Sequence, residues 1–154
     1  MALKIIYHCF GGTHSSVTAA AFHLGMLPSD RKPRAEELLA IPFFDARDSK
    51  DHGNITLMGV DEQGNEIYFV GQRGSPHVLE NIIHGLARHF DIPPNQYKLV
   101  NVMYKVNFSM RLGGFMSRRF KWIYPGRPLV TWGTINAFRK ITNLVLRVKA
   151  GEKR

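Results

Sequence analysis

A short apolar run that breaks at two consecutive glycines constrains the fold of this chain most. Residues 3–10 are mostly apolar and have the length of a buried strand. Gly11 and Gly12 end the run, and residues 15–26 have a helix-forming composition that stops before Pro28. The sequence therefore predicts a strand, a tight loop and a helix, which is the opening unit of an α/β fold.

The rest of the chain continues this alternation of strands and helices. Two runs separated by a glycine-containing turn predict an antiparallel hairpin, and three further segments have helical periodicity or helix-forming composition. We expect an α/β fold of three-layer type, with a partly parallel sheet and an antiparallel hairpin, as a single domain over residues 1–154. The predicted elements after the first helix are a helix over 34–40, hairpin strands over 55–60 and 66–71, a helix from Ser75 or Pro76 to Phe90, strands over 97–103 and 129–132, and a helix over 135–149.

Composition and cysteine content limit the class of protein. The chain has 154 residues, of which 44% are hydrophobic and 21% are charged, so it can bury a core and is not a disordered tail. Its one cysteine, Cys9, cannot form an intramolecular disulfide and suits a reducing compartment. No signal peptide is recognisable, and no apolar run reaches the ~18 residues of a membrane-spanning helix. We therefore expect a cytoplasmic protein.

Charge is distributed unevenly along the chain. Residues 1–96 contain eight Lys and Arg against eleven Asp and Glu, whereas residues 97–154 contain thirteen against one. The net charge of +9 thus combines a slightly acidic N-terminal part with a strongly basic C-terminal part. The basic part can face a polyanion, an anionic membrane surface or only water.

The segment between the first strand and the first helix has the composition of an anion-binding loop. We call it the first loop, and it consists of Gly11, Gly12, Thr13, His14, Ser15 and Ser16. The glycines let the backbone approach a ligand, the hydroxyls can donate hydrogen bonds, and the histidine adds a charge that depends on pH. Helix amino ends bind anions readily. The loop does not match the nucleotide-binding motif G-x-x-x-x-G-K-[ST] or the dinucleotide-binding motif G-x-G-x-x-G. The alternative is an ordinary turn that ends in a helix cap.

Cys9 and the first loop resemble the catalytic loop of low-molecular-weight phosphotyrosine phosphatases and arsenate reductases. Those families place a cysteine, five residues, an arginine and a Ser or Thr between the first strand and the first helix. Here Cys9 has the nucleophile's position and Ser16 the hydroxyl's position, but Ser15 replaces the arginine. The families' Asp-Pro acid also has no counterpart, since no aspartate follows Asp91. The resemblance implies a loop geometry, and the alternative for Cys9 is a buried, unreactive thiol.

Four stretches of the chain carry a second family resemblance. They are residues 10–16, residues 19–21 with His23 and Leu24, residues 59–62 with Gly64 and Asn65, and residues 112–115. In these stretches the chain resembles a bacterial domain-of-unknown-function family, DUF3189, and the resemblance extends over nearly the whole length. It implies a domain type without an activity.

The sequence contains no recognisable metal or cofactor motif, so we predict no metal site and no cofactor. No C-x-x-C or H-x-x-x-H pair occurs, and His84 and His89 lie off a common helix face. One polar loop contains Asp45, Asp48 and Asp51. Two interpretations of this loop stay open, a solvated turn and a site with a catalytic carboxylate.

The basic part interleaves cations with aromatic residues. Cations attract phosphates whatever the base sequence, and aromatic rings stack on unpaired bases, so this composition favours RNA or a ribosome as partner. The same composition also suits binding to an anionic membrane surface. The third possibility is that the cations form a solvated face and the aromatic rings are buried in the core. The residues predicted to bind a polyanion are Arg111, Arg118, Arg119, Lys121, Trp122, Arg127, Arg139 and Lys140.

A second glycine-rich segment connects the loop with the basic part. Gly113 and Gly114 precede Ser117, Arg118 and Arg119, and a loop there would supply the guanidinium that the first loop lacks. Our leading hypothesis is an anion site in the first loop for a phosphorylated small molecule or a nucleotide, with catalysis left open. The alternative is a non-catalytic RNA- or ribosome-associated protein.

Overall fold

The described part of the chain is built around a four-stranded mixed sheet. The computed structural model describes residues 2–103 and 123–151. β1 runs parallel to both β3 and β4, and β2 runs antiparallel to β3. The predicted partly parallel sheet with an antiparallel hairpin is therefore confirmed. The strands are β1 (Lys4–Cys9), β2 (Thr56–Val60), β3 (Glu66–Gly71) and β4 (Tyr97–Asn101), in the order β2-β3-β1-β4.

Four α-helices lie within the described ranges. Three of them match predicted helices, with ends that differ by a few residues, and the third begins with Pro76 in its first turn, where proline is well tolerated. Short 3-10 turns occur at Ser49–Asp51 and Pro94–Gln96. The helices are α1 (Ser15–His23), α2 (Ala35–Leu39), α3 (Pro76–His89) and α4 (Ile123–Lys149).

Successive residues of β1 face helices on opposite sides of the sheet. Tyr7 points towards α1, where its phenol oxygen lies 2.7 Å from Nδ1 of His23. His8 points the other way, and its Nε2 lies 3.5 Å from Oε1 of Glu80 on α3. Because strand side chains alternate between the two faces, the sheet lies between α1 and α3. The predicted three-layer arrangement is confirmed.

The main core lies on the α1 face of the sheet. Tyr7, Phe69 and Val100 are neighbours across three adjacent strands, and all three are buried. On the helices above them, the rings of Phe22 and Phe138 meet edge to face with centroids 5.7 Å apart. Each fully buried side chain of this size stabilises the fold by about 1.5–3 kcal/mol. This core fixes α4 against α1.

The strand predicted over residues 129–132 is wrong, because these residues lie inside α4. β-Branched residues there favour a strand locally, but Val130 is fully buried in the helical conformation. The hydroxyls of Thr131 and Thr134 donate to carbonyl oxygens one turn earlier, on Arg127 and Val130, both at 2.8 Å. Burial thus overrides the local preference, and the last helix begins earlier than predicted.

α3 presents only part of its apolar side to the sheet. Ala87 is buried, and Leu79 and Ile83 are half-buried. Periodicity correctly predicts this helix, but it does not show which rows of apolar side chains the sheet covers. The exposed row, in which each side chain is more than half accessible, consists of Val78, Ile82, Leu86 and Phe90.

Candidate functional site

The first loop lies at the carboxyl edge of the sheet, in contact with the end of β3. Gly12 has a φ of +64°, and a Cβ there would lie 2.4 Å from the backbone nitrogen of Gly71. A Cβ on Gly71 would in turn lie 2.8 Å from the carbonyl carbon of Gly11. The amide of Gln72 donates to the carbonyl oxygen of Cys9 at 2.8 Å. Only glycine allows so close an approach, so the two chain segments hold each other in place.

Cys9 is the point on which two polar groups of the first loop converge. Its side chain is buried, and its Sγ accepts a hydrogen bond from the backbone N–H of Gly12 at 3.2 Å. The hydroxyl oxygen of Ser16 lies 3.0 Å from the same sulfur atom. The cysteine and the hydroxyl residue of the phosphatase resemblance are therefore in contact across the loop. Ser15, at the position of the missing arginine, is buried and neutral.

The amino end of α1 closes the loop. His14 is the N-cap residue, its side chain makes no cap hydrogen bond, and its carbonyl oxygen accepts from the N–H of Thr18 at 2.8 Å. Amides in the first turn of a helix lack intrahelical acceptors and carry partial positive charge. The first turn of α1 contains no acidic residue to offset that charge. The helix therefore contributes an electropositive end to the loop.

Thr13 ties the loop to the segment over residues 43–47. Its hydroxyl donates to the carbonyl oxygen of Phe43 and accepts from the backbone N–H of Arg47, both at 3.2 Å. Its own carbonyl oxygen accepts from the amide of Asp45 at 3.1 Å. Thr13 is fully buried, and both hydrogen bonds of its hydroxyl join the first loop to this segment.

His14, Asp45 and Arg127 form a connected set of polar contacts beside the loop. His14 Nε2 lies 2.9 Å from Asp45 Oδ1, and Nε of Arg127 on α4 donates to Asp45 Oδ2 at 3.0 Å. The side chains of His14 and Asp45 are 11% and 7% exposed, whereas that of Arg127 is 46% exposed. Burial by itself raises the pKa of Asp45, but the hydrogen bonds and charges of His14 and Arg127 outweigh it and lower that pKa. Asp45 is therefore an ionised carboxylate that is hydrogen-bonded to both His14 and Arg127.

The segment that carries Asp45 has a strained backbone. Phe43 has a φ of +68° and Asp45 a φ of +54°, a region that residues other than glycine seldom adopt. Such strain persists only where the surroundings impose it, and it is concentrated at functional sites. The sequence predicts a polar loop around Asp45 but not its contact with His14, because no local pattern encodes that contact.

The structure describes only some of the predicted site residues. It brings Arg127 to the first loop, and it leaves Arg139 and Lys140 exposed on α4. The second glycine-rich segment and the rest of the predicted polyanion surface lie outside the described residues. These are Arg111, Gly113, Gly114, Ser117, Arg118, Arg119, Lys121 and Trp122.

A family model that covers nearly the whole chain decides its affiliation. Residues 4–150 match the family described as protein of unknown function (DUF3189). The chain belongs to DUF3189. The whole-chain resemblance predicted from the sequence is confirmed, and no curated protein and no solved structure matches the chain. The family description carries no activity, so the function of this DUF3189 protein has to be inferred from its own residues.

Across residues 2–103 and 123–151, no group of three or more His, Cys, Asp or Glu side chains is arranged to hold a metal ion. None of the helices in those ranges is both long enough and apolar enough to span a membrane.

A second buried polar cluster in the DUF3189 protein lies at the amino edge of the sheet. His23 Nδ1 lies 2.7 Å from the hydroxyl of Tyr7, and its Nε2 lies 3.1 Å from Oδ2 of Asp61 in the turn between β2 and β3. The other oxygen of Asp61 accepts the amides of Gln63 and Asn65 at 2.9 and 2.8 Å. The cluster connects the end of α1 with the hairpin, and sequence reasoning missed it.

Proposed function

We propose that the first loop of this DUF3189 protein binds the phosphate group of a phosphorylated small molecule or a nucleotide. The observation that carries the proposal is the convergence of the Gly12 N–H and the Ser16 hydroxyl on Cys9 Sγ, at 3.2 and 3.0 Å. Donors gathered at the amino end of a helix form an electropositive lining, which favours an anion placed against it.

The rigidity of the loop supports the same proposal. Gly12 is in contact with the end of β3, and the hydroxyl of Thr13 is bonded to the segment over residues 43–47. Donors that are already fixed need little ordering when a ligand binds, so more of the interaction energy contributes to affinity. A small, compact anion such as phosphate suits a site of this kind.

The proposed function is phosphate binding, and it does not include hydrolysis of a phosphate ester. A phosphatase-type reaction needs a cysteine nucleophile and an arginine that binds two phosphate oxygens at once. Ser15 stands at the arginine position, and its single hydroxyl cannot bind the phosphate in this way. Cys9→Ser keeps an acceptor beside the Gly12 amide, so we expect this variant to retain phosphate affinity. Hydrolysis of p-nitrophenyl phosphate by the wild type but not by Cys9→Ser would instead identify Cys9 as a nucleophile.

Calorimetric titration of the full chain with inorganic phosphate and with AMP tests the proposal. We expect saturable binding by the wild type, weakened about fivefold or more in His14→Ala and in Ser16→Ala, because each change removes a polar group of the loop. Ser75→Ala is the matched control, since Ser75 begins α3 without a side-chain cap hydrogen bond. No binding by the wild type at millimolar phosphate and AMP would overturn the proposal.

RNA binding is a second candidate function, and the exposed face of α4 favours it. Trp132 is 58% exposed, and Arg139 and Lys140 are exposed seven and eight residues further along the helix. This spacing places all three side chains on one face of α4. α4 contains no acidic residue. An aromatic ring among cations is the combination that binds single-stranded nucleic acid by stacking and phosphate attraction.

Copurification and salt dependence test this second candidate. If it holds, the purified protein has a raised ratio of absorbance at nucleic-acid to protein wavelengths, and its affinity for a single-stranded RNA oligonucleotide falls steeply with salt. The double variant Arg139→Glu, Lys140→Glu should lose that affinity. Sedimentation with anionic lipid vesicles in the absence of RNA binding would assign the face to a membrane surface instead.

A further inference from the structure

We infer that Arg127 is the phosphate-binding arginine of the first loop, supplied by α4 in place of the arginine that the loop lacks at Ser15. The inference rests on the proposed function, because it names the group that recognises the charge of the bound phosphate. It also specifies the ligand class as a phosphomonoester or free phosphate, whose terminal oxygens can accept both arms of a guanidinium.

The attachment of Arg127 leaves most of its donors available. Its Nε donates to Asp45 Oδ2 at 3.0 Å, which is the one side-chain hydrogen bond of Arg127 within the described residues. A guanidinium carries five N–H groups in a planar fork, so the two terminal amino groups keep their donors. The side chain is 46% exposed, so a ligand from solvent can reach it.

The other oxygen of the same carboxylate fixes Arg127 relative to the loop. Asp45 Oδ1 lies 2.9 Å from Nε2 of His14, the N-cap residue of α1, and the Asp45 amide donates to the carbonyl oxygen of Thr13. Two hydrogen bonds therefore separate the guanidinium from the helix end.

The buried carboxylate of Asp45 works against anion binding at the first loop, and the guanidinium of Arg127 offsets it. Asp45 is buried and ionised beside the loop, so it opposes an incoming phosphate. Ser15 is neutral. The guanidinium offsets the carboxylate and brings permanent positive charge, because arginine does not lose its proton in proteins. Arg127 therefore places a permanent positive charge beside the Asp45 carboxylate and the first loop.

Titration of full-length variants with inorganic phosphate and AMP tests this role. We expect Arg127→Gln to weaken both ligands about tenfold or more, and Arg127→Lys to recover part of the loss, because lysine keeps the charge but not the fork. Arg88→Gln on α3 is the control with the same change of charge. Unchanged affinity in Arg127→Gln, with binding by the wild type intact, would overturn the role of Arg127 and leave the proposed function standing. A wild type that does not bind would overturn both.

Asp45→Asn separates direct binding by Arg127 from a merely structural role. If Arg127 contacts phosphate, removing the opposing carboxylate should leave the affinity unchanged or increase it. If Arg127 only holds Asp45 against His14, Asp45→Asn should weaken binding as much as Arg127→Gln does, and that result would contradict the inference. Circular dichroism and thermal unfolding of each variant show that loss of binding is not loss of the fold.

Discussion

The phenol oxygen of Tyr7 lies 2.7 Å from Nδ1 of His23, and the other ring nitrogen of His23 lies 3.1 Å from Asp61 Oδ2. Burial lowers the pKa of His23 in spite of the carboxylate, and burial raises the pKa of Tyr7. For Asp61, burial favours a higher pKa, but donors from Asn65, Gln63 and His23 outweigh it and lower the pKa. The folded cluster therefore combines a neutral phenol, a neutral imidazole and a carboxylate.

His23 should make folding stability depend on pH near neutrality. Its folded pKa lies below the ordinary value of 6.5, so the unfolded chain binds the proton more readily. The full contribution is present above pH 6.5, and it is lost as the pH falls from there towards the folded pKa. Urea denaturation from pH 8 to pH 5 should show this decline, and His23→Gln should flatten it. His77→Gln, an exposed control, should not. An unchanged slope in His23→Gln would contradict the prediction.

Tyr7→Phe should destabilise the protein by about 1–3 kcal/mol, because it leaves a buried ring nitrogen of His23 without its partner. Tyr68→Phe is the matched control. The hydroxyl of Tyr68 donates to Glu66 at 2.9 Å in a partly exposed setting, where water can replace it. Chemical denaturation of both variants checks the difference, and equal losses of stability would argue against a special role for the buried contact.

Local patterns were sufficient to predict much of the fold. The apolar run before Gly11 and the helix-forming segment after it correspond to β1 and α1, since length and glycine breaks are local signals. Residues 129–132 show the limit of such signals. Their β-branched side chains suit a strand, but the burial that makes them helical depends on distant parts of the chain.

The candidate site was predictable only in part for the same reason. The composition of the first loop identifies the glycines and the helix end, because both lie within a few residues of each other. The contacts of Asp45 with His14 and Arg127 span 31 and 82 residues of sequence. No periodicity encodes such contacts. The Thr13 hydroxyl holds the segment over residues 43–47 against the loop, and the packing of α4 brings Arg127 to the same segment.

Alanine substitutions at two glycines should have opposite effects on stability. Gly12→Ala should destabilise the protein by about 1–3 kcal/mol or more, because its φ of +64° is unfavourable for alanine and the new Cβ would lie 2.4 Å from Gly71. Gly85→Ala should stabilise it by about 0.5–1 kcal/mol, since Gly85 lies inside α3 and, apart from the backbone of that helix, no atom of the described residues lies within 4 Å of a Cβ there. Thermal unfolding of both variants checks the signs, and a stabilising Gly12→Ala would refute the close packing of the loop on β3.

Thr13→Val should both destabilise the protein and weaken phosphate binding. Valine has the shape of threonine, but it leaves the carbonyl oxygen of Phe43 and the amide of Arg47 without their buried partner, which costs about 1–3 kcal/mol. Loosening that segment also makes the first loop less rigid, so its donors have to be ordered when phosphate binds. Thr18→Val is the matched control, because the buried hydroxyl of Thr18 makes no hydrogen bond within the described residues, so its removal should be neutral or stabilising. Denaturation and phosphate titration together test this. If the two substitutions behaved alike, the Thr13 hydroxyl would not be what joins residues 43–47 to the loop.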